Sequence, residues 1–335
     1  MTTALALPLH DAALAERLTG RLRLVEELLR DAVTYADPIA HDASRHLVDA
    51  GGKRLRPLLT LLTAELGDGE RREVVDAAAV VELTHLATLY HDDVMDSAPL
   101  RRGAPSAHEV WGNSVAILIG DLLFARAAAT VAALGPEAVL IQARTFERLC
   151  LGQLHETTGP AESDDPVEHY LGVLADKTAS LLSTSARLGA RFGRCDQDVV
   201  EVVAEYGEKL GVAFQLADDV LDLASSGDES GKTPGTDLRE KVPTMPVLLL
   251  RARIANGTAT PSDVELVRLL DSDLSDDAAL ASAVAALRRH EVLAETRALA
   301  VRWARSAVDE LDALPSGPVS DALRSFAEAL ADRAA

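Results

Sequence analysis

The stretch HDDVMDSAPLRRG at residues 91–103 gathers Asp92, Asp93 and Asp96 and then changes sign at Arg101 and Arg102. FQLADDVLD at 214–222 repeats the acidic spacing in Asp218, Asp219 and Asp222. On an α-helix residues i and i+4 share a face, so each stretch aims two carboxylates the same way. Their repulsion near a helix C-terminus, where the macrodipole already disfavours negative charge, is destabilising unless a cation sits between them. One such cluster reads equally as a solvated helix end; two copies on separate apolar segments point to chemistry. Oxygen donors with no cysteine and no paired histidine suit a hard cation, and Mg²⁺ shared between a few carboxylates and phosphate oxygens is the usual case. Cations in GGKRLRP at 51–57 and RR at 101–102 would take up the remaining ligand charge. The pattern is that of a diphosphate clamp. Glu82 and His85 have the i, i+3 spacing of a di-iron bundle, but the second Glu-x-x-His that such a site needs is absent.

The elements that position these residues read as helices throughout. Apolar residues recur at three- and four-residue intervals, strand-like alternation is scarce, and aromatics are 3% of the chain. The expected helices cover about 11–35, 38–50, 57–67, 72–97, 113–134, 136–158, 166–191, 196–225, 236–256, 261–271, 275–312 (broken) and 317–333. The helices over 72–97 and 196–225 are almost wholly apolar except at their acidic C-terminal ends, so they should be buried with those ends facing a cavity or a partner charge. Uniform composition over 335 residues without a long linker predicts a single domain, 1–335, ordered beyond the first ten residues. A net charge of -20, from 33 basic and 53 acidic residues, argues against a nucleic-acid partner. Cys150 and Cys195 form no disulfide or thiolate-metal pattern, which fits a cytoplasmic setting. No basic leader and no uncharged apolar run of membrane-spanning length is seen, so no transmembrane segment is expected.

In order along the chain, GGKRLRP, HDDVMD, RRG, GQLHE at 152, DKT at 176, FQLADD and GKTPGTDLREKVPTMP at 231 closely resemble the trans-isoprenyl diphosphate synthases, or polyprenyl synthetases. The resemblance implies an all-α bundle with a central cavity, the isoprenoid synthase fold, in a homodimer. It implies prenyl transfer: an allylic diphosphate ionises with help from Mg²⁺, three ions per active site. Isopentenyl diphosphate then attacks the allylic cation and loses a proton. Carried over, Asp92, Asp96 and Asp218 are similar to the metal ligands, and Asp93, Asp219 and Asp222 complete the motifs. Arg101, Lys177 and Lys232 match the allylic diphosphate cations. Gly52, Lys53, Arg56, His85 and Arg102 match the isopentenyl diphosphate pocket, and Thr178 and Gln215 resemble the polar groups beside the developing cation. One departure is that REKVPTMP puts Lys241 where the family often has glycine and Val242 where lysine is common.

In this family, bulky side chains four and five residues before the first acidic motif stop chain growth. Here these positions are Thr88 and Ala87, with Thr84 a turn further back, so the resemblance implies a long product of hexaprenyl to nonaprenyl length, of the quinone side-chain type. A geranylgeranyl or farnesyl product is the alternative. A class I terpene cyclase is disfavoured by the intact GGKRLRP and RRG, and a non-catalytic subunit by the presence of all six aspartates. Product release by peripheral contact with a membrane is a further expectation.

Overall fold

The computed structural model describes residues 11–224 and 235–331, and among these it is all-α, as expected, apart from one short hairpin. The chain forms two compact units. One takes Met1–Glu147, Leu181–Gly207 and Glu310–Phe326, the other Arg148–Ser180, Glu208–Asp309 and Ala327–Ala335.

The first unit contains α1 (Ala12–Ala32), α2 (Pro38–Asp49), α3 (Leu55–Ala64), α4 (Arg72–Met95), α5 (Ala107–Trp111) and α6 (Asn113–Ala133). Asp11 and Asp37 start α1 and α2 by accepting from the backbone N–H of Leu14 (2.7 Å) and Ala40 (2.9 Å), and Pro38 occupies the first turn of α2. α4 is apolar on nearly all sides, and Val80, Leu83, Leu86 and Ala87 are fully buried, so it forms the middle of this unit's core. Its end is set locally. The N–H groups of Asp96 and Ala98 bond to the carbonyls of Asp92 (2.8 Å) and Asp93 (3.0 Å), and Pro99 cannot continue the helix. Then β1 (Leu100–Arg101) pairs antiparallel with β2 (Ala104–Pro105). Arg102 and Gly103 between them have φ of 55° and 79°, the turn geometry that follows strand twist. The sequence reading places no element between 97 and 113; the hairpin and α5 occupy that interval because turn and cap geometry, not periodicity, define them.

Helices α7 (Pro136–Thr158) and α10 (Gln197–Ala224) contribute residues to both units. In the second unit, α8 (Pro166–Leu174) is capped by Asp165 and is followed by a π-helical turn over Ala175–Ala179; of the next helix, α9 (Ser180–Phe192), only Ser180 belongs to this unit. The sequence predicts one continuous helix here. The inserted turn carries Asp176, Lys177 and Thr178, and π turns of this kind are frequent at functional sites. Arg148 on α7 holds it in place, donating to Ala175 O (3.1 Å), to Asp176 (2.7 Å) and to Glu208 (3.0 Å). A Cβ at position 152 would lie 2.6 Å from the Lys177 backbone nitrogen, so Gly152 permits α7 to approach this turn.

Beyond α10 come α11 (Thr236–Arg239), α12 (Met245–Ala255), α13 (Pro261–Leu270), α14 (Asp277–Arg289), α15 (Glu291–Glu310) and α16 (Pro318–Ala331). Val220, Leu250, Leu287 and Val292 pack together in the second unit. The helix expected over 236–256 is broken where Lys241 takes φ of 60°. That left-handed conformation explains why glycine suits the position, and lysine is strained there.

Candidate active site

Cations gather in the first unit where two turns meet. Gly51 and Gly52 have φ of 81° and 147°, which bends the chain into α3. A Cβ at Gly52 would lie 2.9 Å from the guanidinium carbon of Arg102, so a side chain there would push that group aside as well as strain a backbone φ that favours glycine. Arg102 donates to Leu47 O (2.9 Å) and to Gly51 O, which fixes it across the loop. Burial pushes the Arg102 and Arg56 guanidinium groups below their ordinary values, and the Glu82 carboxylate opposes that shift in both. Arg56 Nε is buried without a protein partner. Lys53 is exposed.

His85 lies in the field of these cations. Burial first, then Arg56, Arg102, Arg101 and Arg54, hold its imidazole well below the ordinary 6.5. It is therefore neutral at neutral pH and can donate one N–H to an anion without adding charge. The unfolded chain takes up a proton below 6.5 that the folded protein refuses, so this group makes stability fall as pH drops through that value. Replacing His85 with Gln is expected to flatten the loss of stability between about pH 7 and about pH 5, measured by urea unfolding at each pH.

The acidic residues divide by position. Asp92 is half-buried and Asp96 exposed, one turn apart at the end of α4. Asp93 is fully buried, and its Oδ1 accepts from Arg101 Nε (2.6 Å) and Nη2 (2.5 Å). The second motif repeats this division on α10. Asp218 and Asp222 are half-buried, whereas Asp219 is buried and accepts from Tyr170 Oη (3.0 Å) and from the Met245 N–H at the start of α12 (3.1 Å). Burial raises the Asp93 carboxyl above its usual range and the Asp219 carboxyl well above it, each partly offset by its donors. The middle aspartates are packed and anchored, and Arg101, expected on the allylic diphosphate, is engaged by Asp93.

In the second unit Lys177 is paired with Glu156 of α7, and Thr178 donates to Gln215 Oε1 (3.2 Å), so the two polar groups expected beside the developing cation are brought together. Lys232 lies outside the described residues. Along α4 the expected ruler positions differ from an open face. Thr88 is half-buried, but Ala87 and Thr84 are fully buried, and Gln142 of α7 donates to Thr84 Oγ1 at 2.6 Å, taking up the space beside that residue. The Tyr90 hydroxyl donates to Ala43 O at 2.5 Å, so this ring faces α2, away from those positions.

Among the described residues no three His, Cys, Asp or Glu side chains converge as a self-sufficient metal site. Pairs of accessible carboxylates one turn apart fit an ion completed by phosphate oxygens and water, as Mg²⁺ commonly is. They do not fit a di-iron site, and Glu82 is instead bound to Arg54 at 2.7 Å.

The Polyprenyl synthetase family model matches residues 37–287, a stretch that includes every charged group placed in this site. The chain belongs to this family. The polyprenyl synthetase is 43% identical to the nonaprenyl diphosphate synthase of Mycobacterium tuberculosis over 98% of this chain and 96% of that protein. Its structure superposes on the polyprenyl synthase of Caulobacter crescentus complexed with calcium and isoprenyl diphosphate, with a TM-score of 0.86 at 33% identity, covering 96% and 97% of the two chains. It also superposes on the geranylgeranyl pyrophosphate synthase of Corynebacterium glutamicum complexed with calcium and isoprenyl diphosphate, with a TM-score of 0.85 at 38% identity, covering 96% and 98%. This polyprenyl synthetase is thus an all-α prenyltransferase of the prenyl diphosphate synthase type with long-chain relatives.

Proposed function

We propose that this polyprenyl synthetase condenses isopentenyl diphosphate with an allylic diphosphate, dependent on Mg²⁺, and yields an all-trans polyprenyl diphosphate in the hexaprenyl to nonaprenyl range for quinone side chains. The observation that carries the reading is the set of half-buried guanidinium groups around a neutral His85, with Arg56 Nε buried and lacking any protein acceptor. An anion with several oxygens satisfies such a set. Gly52, Lys53, Arg56, His85 and Arg102 hold isopentenyl diphosphate; Arg101, Lys177 and Lys232 hold the allylic diphosphate. Asp92, Asp96 and Asp218 would hold Mg²⁺, with Asp222 completing the accessible carboxylates. When bound, Mg²⁺ would neutralise the diphosphate oxygens as the allylic C–O bond breaks. The Thr178–Gln215 pair offers fixed dipoles to the allylic carbon while the new C–C bond forms from the isopentenyl double bond. The proton then lost goes to the released diphosphate.

The test uses the purified chain with isopentenyl diphosphate, Mg²⁺ and primers from geranyl to geranylgeranyl diphosphate, with products read by mass. Stepwise addition of isoprene units is expected; no extension of any primer, or a hydrocarbon formed from the allylic diphosphate alone, would defeat the reading. The packing of Gln142 against Thr84 favours a second reading, a geranylgeranyl-length product, which the same masses distinguish. Thr88 is the accessible ruler position, so Thr88→Phe is expected to shorten the product by at least one isoprene unit. Ala87→Phe would instead overpack a fully buried site.

The same reading places the protein in the cytoplasm, with both cysteines free, and makes it a homodimer. Ile117 and Leu118 on α6 and Val139, Leu140 and Phe146 on α7 leave a large apolar area exposed, with Leu118 at 60%. Asn113–Ala133 is long and apolar enough to cross a membrane by length and composition, and a third of that stretch is buried. We read it as the subunit interface, with peripheral membrane contact confined to product release. Leu118→Arg is expected to give a monomer in light scattering.

A further inference from the structure

Arg54 stands inside GGKRLRP yet points away from the pocket that its neighbours form. It is a non-glycine residue in the left-handed region, φ 48°, at the start of α3, and it caps that helix with no side-chain bond to it. Strain of this kind persists only where the surroundings over-determine it, and it collects at functional loops. What holds Arg54 is a set of three elements. Its Nη1 donates to Glu82 of α4 (2.7 Å), its Nε to Glu26 of α1 (2.6 Å), and its Nη2 to Val48 O at the end of α2 (3.1 Å). The Arg54 and Glu82 side chains are 1% and 2% exposed. Glu82 is one turn from His85, and its charge acts on Arg56 and Arg102 as well. A buried ion pair adds little to stability compared with apolar packing, so its presence here calls for another role.

We infer that Glu82, acting through Arg54, is a positioning residue for the diphosphate pocket: the pair pins the Gly51–Arg56 loop so that Lys53 and Arg56 are presented to isopentenyl diphosphate. This rests on the proposed prenyl transfer. It assigns to Glu82 no contact with substrate.

The test is steady-state kinetics of the full chain with Mg²⁺ and each substrate varied in turn. Glu82→Gln keeps size and a hydrogen-bond acceptor but loses the charge. It is expected to raise KM for isopentenyl diphosphate about ten- to a hundredfold, the scale of a misplaced binding group. KM for the allylic diphosphate should stay within about twofold and kcat should be retained at saturation. Glu82→Asp should recover part of the loss. Arg54→Lys, which cannot bridge two carboxylates in the same fork geometry, should show the same selective rise, and it carries the test if Glu82→Gln does not fold. An unchanged or lower KM for isopentenyl diphosphate would mean that Glu82 acts only as local negative charge. Equal losses in both KM values and kcat would mean a merely structural role, and either result overturns the inference. If the wild-type chain extends no primer, it is the functional reading that fails. Calorimetric titration with inorganic diphosphate then still decides the positioning role, which requires weaker binding by Glu82→Gln than by wild type.

Discussion

Alanine at Asp92 or at Asp218 is expected to lower turnover by about a hundred- to a thousandfold, the cost of removing one group that stabilises developing charge, with the helical circular dichroism unchanged. Both side chains reach partly accessible surface at helix ends, so their loss opens no cavity in the core. Asp219 should behave differently. Its carboxylate ties Tyr170 to the start of α12, and Asp219→Ala leaves a buried tyrosine hydroxyl without its acceptor, at a stability cost of about 1–3 kcal/mol. The contrast is informative: a kinetic defect with intact folding at 92 and 218, against a lowered unfolding midpoint at 219. Raising Mg²⁺ should partly restore the first class and leave the second unchanged. Activity surviving at both Asp92→Ala and Asp218→Ala would remove these carboxylates from the reaction.

The helical architecture was legible because α4 and α10 announce themselves by apolar composition ending in acid, and because Pro38, Pro136, Pro166 and Pro261 mark the starts of their helices. Less legible were features set by tertiary contact. Nothing in the periodicity of 166–191 distinguishes a π turn, which exists because Arg148 accommodates the displaced backbone and Gly152 lets α7 approach. Within DDxxD the spacing shows that positions one and five share a face, but not that the middle residue turns inward. That requires knowing that Arg101 and Tyr170 wait there as donors. Small residues at 84 and 87 suggested space along α4, and the sequence holds no sign that Gln142 packs against Thr84, since the partner lies on α7. Glu156 was visible in GQLHE without a role until its bond to Lys177 supplied one. Lys241, a departure from the resembled pattern, sits at a left-handed backbone position where glycine's conformational freedom would suit the chain better, which only the folded backbone reveals.

Arg54→Met is expected to destabilise the protein by about 3–5 kcal/mol, because it leaves Glu82 and Glu26 facing each other in a buried site with their counter-charge gone. Urea unfolding followed by circular dichroism measures this, and with two compact units the transition need not be a single step. The double variant Arg54→Met, Glu82→Leu replaces the inner pair by apolar groups of similar volume and should recover a large part of the loss, since a well-packed apolar pair stabilises at least as well as a buried ion pair. Recovery of folding should not bring recovery of substrate recognition. The apolar pair no longer holds the left-handed turn at residue 54 by directional bonds, so KM for isopentenyl diphosphate should remain raised in the double variant while its unfolding midpoint approaches that of the wild type. If stability and KM instead recover together, the ion pair does no more than fill volume between α3 and α4.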